Sequence, residues 1–167
     1  RSYPGIFFRV QSQNDYEHFY IRPHRAGLYP DALQYTPTTN GIGAWQLFNG
    51  KGSTASVNIP ENEWFHVRLE IKGNRAHVFI NDEKKPALEI FELYLGSSEG
   101  GITLNSPANG SAYFSNVSYT ATEDIEFELP PVPDYPIGLI ANWEISRPFT
   151  TVEAEMDKTP EEQGLME

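Results

Sequence analysis

The fold of this chain is decided by residues 64–81, which read WFHVRLEIKGNRAHVFIN. Every second residue of the first half is apolar, which is the spacing of a strand with one buried face: Phe65, Val67, Leu69 and Ile71. Gly73 and Asn74 suit a two-residue turn, and the alternation returns at three later positions: Ala76, Val78 and Ile80. The stretch therefore predicts an antiparallel hairpin with one side on a core and the other in water.

The same period-two pattern extends over residues 5–120, and helical periodicity is almost absent. Asn, Asp and Gly cluster between the apolar runs, where tight hairpins need positive φ angles. The pattern predicts nine strands: Gly5–Val10, Asp15–Arg22, Ala44–Asn49, Thr54–Ile59, Trp64–Lys72, Arg75–Asn81, Ala87–Tyr94, Gly101–Leu104 and Ala112–Thr120. Many short strands with such turns are typical of an all-β, two-sheet antiparallel jelly-roll sandwich. The residues predicted to lie between its sheets are Phe65, Val67, Leu69, Val78 and Ile80.

Composition narrows the class of protein. The chain has 167 residues, enough for one domain with a core, and no apolar run approaches the roughly 18 residues of a membrane span. Cysteine is absent, which excludes disulfides, thiol nucleophiles and Cys-based metal sites. Residues 1–120 carry 11 acids and 10 bases, whereas residues 121–167 carry 12 acids and 2 bases. A protein that follows phosphates needs a basic stripe, so the sequence predicts no nucleic-acid partner.

The same charge boundary indicates the domain organisation. We expect a β-sandwich over residues 1–120 and an acidic, Pro-containing extension over residues 121–167. The run Leu129-Pro-Pro-Val-Pro133 makes a stiff spacer that no central strand accommodates. Beyond it, Ile137–Ile145 is apolar enough to form one more strand that returns to the sandwich.

Two segments carry a resemblance to a known superfamily. One is Pro4-Gly-Ile-Phe-Phe-Arg-Val10 followed by Asp15-Tyr16, and the other is Glu63-Trp-Phe-His-Val-Arg-Leu-Glu-Ile71 followed by Ala76-His-Val-Phe-Ile-Asn-Asp82. Both resemble the concanavalin A-like lectin/glucanase superfamily, laminin G-like domains included, over about residues 4–120. The resemblance implies a fold more than a ligand. Members carry one or two strands before the Gly-Phe-Arg strand, so we expect N-terminal strands to be lacking here and a sheet edge to be uncovered.

Because this superfamily includes glucanases, an enzyme of the same kind would need a pair of catalytic carboxylates in this sequence. Their retaining mechanism needs two carboxyl groups roughly 5–5.5 Å apart. Glu89 and Glu92 are three residues apart and would face opposite sides of a strand. Glu153, Glu155 and Asp157 have a two-residue spacing, but a solvated charge run explains them in the acidic extension. The sequence shows no convergent pair, which favours a protein that is not an enzyme.

A saccharide-binding surface is predicted between residues 16 and 45. Alternation puts four polar or aromatic residues on one face of a strand that leads into a long loop: Tyr16, His18, Tyr20 and Arg22. Rings stack on the apolar faces of sugars, while Arg and Asn side chains hydrogen-bond hydroxyl groups. The predicted ligand-binding residues are Arg22, His24, Arg25, Tyr35, Asn40 and Trp45. The alternative is that Tyr35 and Trp45 are core or loop anchors and that the two arginines are ordinary surface charges.

Three functions stay open at this point. The first is a non-catalytic carbohydrate-binding or adhesion module of a larger protein, with an oligosaccharide or glycan as its partner. The second is a glycoside hydrolase-type enzyme on the same fold, and the third is a structural or protein-interaction domain. Calcium could bind at Asn14-Asp15 or Asn81-Asp82-Glu83, although Asx residues in turns need no metal. We expect a secreted, extracellular or periplasmic location.

Overall fold

A computed structural model of the chain describes residues 3–60, 62–81, 83–96, 99–106 and 111–127. Contacts divide the chain into one unit over Arg1–Glu126 and a second over Phe127–Glu167, and every described strand belongs to the first unit. The predicted strand Ile137–Ile145 lies outside the described residues. No helix in the described part of the chain is long and apolar enough to cross a membrane.

Short strands make up most of the regular structure, which confirms the all-β prediction. Within the described ranges the strands are β1 Gly5–Ser12, β2 Asp15–Ile21, β3 Leu33–Thr39, β4 Ile42–Gly43, β5 Thr54–Ala55, β6 Val67–Lys72, β7 Arg75–Ile80, β8 Leu88–Ile90 and β9 Gly101–Asn105. Single turns of 3₁₀ helix at Pro23–Arg25 and Trp45–Leu47 follow β2 and β4.

The strands form two antiparallel sheets. The larger sheet has the order β4-β3-β2-β1-β9, with β5 pairing the start of β3, and the smaller sheet has the order β6-β7-β8. The predicted hairpin is β6–β7, in which Leu69 lies opposite Val78 and Ile71 lies opposite Ala76. This arrangement confirms a two-sheet antiparallel sandwich of the jelly-roll kind.

Apolar side chains from both sheets share one core. Its buried members are Phe8, Phe19, Ile21, Leu33, Tyr35, Ala76, Val78, Ile80, Leu88, Ile90 and Leu93. Val78 and Ile80 are buried as predicted, and burying each such side chain stabilises the fold by about 1.5–3 kcal/mol. Phe65, Val67 and Leu69 are only half-buried against this core. The reason is that β6 ends its sheet and has a described neighbour on one side alone.

The sequence predicts a loop where β3 forms, and that prediction is wrong. The sequence pattern does not indicate a strand here because of Pro37: proline has no N–H and ordinarily interrupts the hydrogen-bond ladder of a sheet. The N–H of Tyr35 points away from β2 and donates to Ser53 O at 2.7 Å, so the nitrogen of Pro37, two residues on, points the same way. On that side β5 pairs with residues 33 and 34 and β4 with residues 38 and 39. Pro37 falls between them, where no described strand needs its hydrogen.

Four other predicted strands need correction. Ala44–Asn49 contains the helical turn Trp45–Leu47, in which the side chains of Trp45 and Leu47 are exposed, so its apolar residues do not form one strand face. Thr54–Ile59 and Ala87–Tyr94 shorten to β5 and β8. Ala112–Thr120 forms no strand among the described residues, and its apolar side chains are exposed: Tyr113, Phe114, Val117 and Tyr119.

A polar network crosses the core. The hydroxyl of Tyr35 donates to Glu17 Oε2 at 2.7 Å and accepts the N–H of Tyr94 at 2.9 Å. The N–H of Leu95 donates to Glu17 Oε1 at 2.9 Å. Glu17 is fully buried, and burial raises the pKa of its carboxyl while the bonds from Tyr35 and Leu95 oppose that rise. The network holds the loop after β8 against the larger sheet.

A bulge in β1 turns a charged side chain toward the smaller sheet. The pairing of β1 with β2 shifts between Phe8 and Ser12, and Arg9 has a φ of +48°. Its Nη2 donates to the carbonyl of Gly73 at 2.5 Å, in the β6–β7 turn. A left-handed conformation costs a non-glycine residue about 1–2 kcal/mol, and this hydrogen bond between the sheets offsets part of that cost.

Candidate functional site

The candidate site lies on the face of the larger sheet that is turned away from the core. In β2, Phe19 and Ile21 point into the core, so Tyr20 and the residue after the strand, Arg22, point to the opposite face. Tyr20 lies opposite Gln34 of β3, which brings both side chains to the same face. The helical turns Pro23–Arg25 and Trp45–Leu47 supply the rest of the site.

Arg22 is the centre of this face. Its guanidinium forms an ion pair with Asp31, and Nη2 donates to Tyr20 Oη and to Gln34 Oε1, each at 3.0 Å. The same guanidinium lies 5.1 Å from the ring centre of Trp45. Only 8% of the Arg22 side chain is exposed, and its buried Nε has no hydrogen-bond partner. Three contacts therefore hold the planar group in one orientation.

A second arginine shares the carboxylate of Asp31. Arg25 Nε donates to Asp31 Oδ1 at 2.5 Å, and its guanidinium lies 4.0 Å from the ring centre of Tyr29. About a third of the Arg25 side chain is exposed. Because two guanidinium groups share one carboxylate, this end of the face carries one net positive charge among these three residues.

Aromatic rings continue from this centre across β2 and β1. The ring of Tyr20 lies 4.8 Å from that of His18, and His18 lies 4.2 Å from Phe7. Phe7 lies 4.5 Å from Tyr16. Burial lowers the pKa of His18 to about 3, so its imidazole is neutral at ordinary pH, and its buried Nε2 has no hydrogen-bond partner. Burial also raises the pKa of the Tyr20 phenol, while the hydrogen bond from Arg22 opposes the rise. We call the four rings Tyr20, His18, Phe7 and Tyr16 the ring row.

Comparison with known families places this geometry in a chemical context. A model of the 3-keto-alpha-glucoside-1,2-lyase-like domain family matches residues 4–120, which include all nine described strands and the candidate site. The chain belongs to this family. The domain is therefore carbohydrate-related, with a fold of the concanavalin A-like, glycoside hydrolase-like kind. No curated protein and no solved structure matches the sequence.

The structure of this domain brings three of the six predicted ligand-binding residues together. Arg22 and Arg25 meet at Asp31, and Trp45 lies beside Arg22. His24 is exposed on the neighbouring turn, where its ring lies 5.7 Å from that of Tyr3. Whether these residues bind a ligand stays a prediction.

The other two predicted residues lie elsewhere. Tyr35 is 1% exposed and belongs to the core, so its predicted placement on the exposed surface is wrong. The reason is the alternation of β3, in which Gln34 faces the site and Tyr35 therefore faces inward. Asn40 lies past the opposite end of β3, where it turns the chain with a φ of +52° and donates its N–H to Asp15 Oδ1. Six residues of strand separate the two ends of β3, a distance of about 20 Å.

The six predicted ligand-binding residues do not include three that complete the site, although all three lie in the segment from which the six were chosen: Tyr20, Asp31 and Gln34. Tyr20 could have been included, because it shares the alternating face of Arg22. Gln34 could not, since its place on the face depends on the register of an unrecognised strand. Asp31 could be identified only through a contact with two arginines across a turn.

Two of the residues considered for calcium, Asp15 and Asn81, have other partners. Asp15 accepts hydrogen bonds from the N–H of Asn40 and from Ser12 Oγ, each at 2.9 Å, and these bonds lower its pKa. Asn81 Oδ1 accepts the N–H of His66 at 3.1 Å. Asp82 lies outside the described residues. Across the described ranges, no three His, Asp or Glu side chains are grouped as metal ligands.

Proposed function

We propose that this domain binds an oligosaccharide on the outer face of its larger sheet, with Arg22 and Trp45 at the centre. The observation that supports the proposal is the position of the Arg22 guanidinium, fixed by Asp31, Tyr20 and Gln34 beside the ring of Trp45. An arginine held in one plane fixes the positions of Asp31, Tyr20 and Gln34, which gives the polar groups beside Trp45 fixed angles, as recognition of neighbouring hydroxyl groups requires.

Trp45 supplies the second element of a sugar site. Its side chain is 46% exposed although its ring lies against Arg22, so one ring surface is available to a ligand. Aromatic rings provide apolar area at low entropic cost, and polar groups at their edge orient the ligand. The family match supports a carbohydrate as the ligand class.

A pair of tryptophan variants tests this proposal. Trp45→Ala should weaken oligosaccharide binding by about 1–3 kcal/mol, the usual cost of removing a central aromatic contact. Trp64→Ala is the matched control, because Trp64 is 69% exposed and precedes β6 in the other sheet. A glycan array selects ligands, and titration calorimetry measures their affinities for both variants. Equal affinities of the two variants and the native chain would contradict the proposal.

The family match also favours a second function, chemistry on a 3-keto-α-glucoside. On the proposed face, His18 is the candidate proton acceptor, because its imidazole is neutral and its Nε2 has no partner. A pKa of about 3 makes it a weak base, which is why binding remains the first proposal. Incubation with methyl 3-keto-α-glucoside, followed by NMR, separates the two functions. Release of methanol by the native chain but not by His18→Gln would establish turnover at this face.

A further inference from the structure

The ring row continues the candidate site in one direction only. It begins at Tyr20, which touches Arg22, and ends at Tyr16, four residues earlier in β2. At the strand rise, Tyr16 and Arg22 are separated by about 20 Å, which is longer than a single pyranose ring. Neighbouring ring centres lie 4.2–4.8 Å apart, so the row is continuous.

The sheet does not need these rings to close its core. Phe8 of β1 and Phe19 of β2 already fill the opposite face and are almost fully buried. Phe7, His18 and Tyr16 keep part of their surface accessible on the outer face. Adjacent rings on two strands stabilise a sheet modestly, but a partly exposed row of them is also what a chain of sugar rings stacks on.

Two unpartnered polar atoms lie on the same face. His18 Nε2 and Arg22 Nε are both buried and have no hydrogen-bond partner, and they lie four residues apart along the row. Buried polar nitrogen atoms ordinarily have partners, so leaving these two unsatisfied costs stability and marks the face as one that packing alone does not explain. His18 is neutral, and the other members of the row are a phenylalanine and two tyrosines. The charged groups described at the site lie at its Arg22 end.

We propose that the ring row forms further subsites of this site and that the ligand is a linear, uncharged oligosaccharide lying along β2 from Arg22 toward Tyr16. This inference rests on the proposed function, since it extends the same surface. The sugar unit at Arg22 and Trp45 receives the directional hydrogen bonds. The later units lie against the accessible parts of His18, Phe7 and Tyr16.

The test is the dependence of affinity on chain length. Titration calorimetry would use malto- and cello-oligosaccharides from the disaccharide to the hexasaccharide. The native chain should bind the hexasaccharide of the preferred series at least about tenfold more tightly than the disaccharide. Tyr16→Ala should remove about five- to tenfold of the hexasaccharide affinity and leave the disaccharide affinity unchanged. Tyr16→Phe retains the ring and should keep the native dependence on length.

Several outcomes separate this inference from the function on which it rests. Equal affinity for all lengths, or an equal loss for both lengths in Tyr16→Ala, would overturn the subsites while leaving the Arg22–Trp45 site intact. A lowered melting temperature of Tyr16→Ala with the native length dependence would show that the row only stabilises the sheet, and would overturn the inference as well. Failure of the native chain to bind either series at any length would overturn the subsites, whereas the proposed function would fail only if the glycan array also gave no ligand.

Discussion

The hydroxyl of Tyr35 donates a 2.7 Å hydrogen bond to the carboxylate of Glu17 inside the sandwich. Both residues are at most 1% exposed, and the second carboxylate oxygen accepts the N–H of Leu95. A buried carboxylate is tolerated only when its oxygens have partners, because isolated charge is expensive to bury. The pair thus explains why Tyr35 is a structural residue and not part of the exposed site.

Removal of the Tyr35 hydroxyl should destabilise the fold. Tyr35→Phe leaves Glu17 Oε2 and the N–H of Tyr94 without their shared partner, and we expect the free energy of unfolding to fall by about 1–3 kcal/mol. Tyr113→Phe is the matched control, because that side chain is 80% exposed, and it should change stability by less than about 0.5 kcal/mol. Urea denaturation measures both values. Equal stability of the two variants would mean that the network contributes nothing.

Stability should depend on pH through His18. Burial lowers the pKa of His18 from 6.5 to about 3, so below pH 6.5 the unfolded chain binds a proton that the folded chain does not. The free energy of unfolding should therefore fall as the pH drops from about 6.5 toward 3, by up to about 1.4 kcal/mol per pH unit from this group. His18→Phe should show a smaller slope, whereas Leu47→Ala, which changes an exposed side chain that does not titrate, should keep the native slope. Identical slopes in all three proteins would refute the assignment to His18.

The two arginines of the site should differ in their tolerance of lysine. Arg22→Lys loses the fork that reaches Tyr20 and Gln34, so we expect a loss of about 1–3 kcal/mol in the free energy of unfolding. Arg25→Lys changes a partly exposed side chain with a single hydrogen bond to Asp31, and should cost less than about 1 kcal/mol. Thermal and urea denaturation of both variants provide the comparison. A larger loss of stability in Arg25→Lys than in Arg22→Lys would show that Arg25, and not Arg22, is the arginine that holds the site together.

Two glycines test the backbone around the β1 bulge. A Cβ at Gly100 would lie 2.5 Å from the carbonyl carbon of Arg9, and the φ of Gly100 is +151°. Gly50 has a φ of +81°, but a Cβ there would have no heavy atom within 4 Å. A substitution at Gly50 therefore measures the cost of the positive φ alone, without a steric clash. Gly50→Ala should cost about 1–2 kcal/mol, and Gly100→Ala should cost about 1–3 kcal/mol more because the chain must also move. Similar losses of stability in the two variants would show that the chain near Arg9 can move away from a new Cβ at Gly100 at no cost in free energy.

The sequence was sufficient for those parts of the fold that depend on local alternation. The hairpin β6–β7 and strands β1, β2 and β9 lie where the period-two pattern predicts them. β3 was not predictable in this way, because Pro37 is acceptable only in the gap between β4 and β5, and that gap is a property of the assembled sheet. The error at Tyr35 follows directly, since a residue assigned to a loop has no inward or outward face.

The candidate site, like the fold, could be predicted only where the local sequence determines the position of a residue. Arg22 and Arg25 were identified from their chemistry and from the strand that leads to them, and Trp45 from its ring. Asn40 was included because it is close in sequence, yet an extended strand carries it about 26 Å from Arg22, which pairs beside Ala32. Closeness in sequence therefore predicts closeness in space within a turn but not along a strand.

The hydrogen bonds of Glu17 also set an order of events during synthesis of the chain. Its partners Tyr35 and Leu95 lie 18 and 78 residues away, so the first becomes available early and the second late. Strands β1–β3 can pair with each other as soon as they leave the ribosome, since their contacts are local. The carboxylate of Glu17 nevertheless has to stay hydrated until Leu95 arrives, because half of its partners are missing before then. Strands β1–β3, which carry Arg22 and the ring row, thus precede the smaller sheet during synthesis, and their inner face is covered only after β6–β8 and Leu95 have been made.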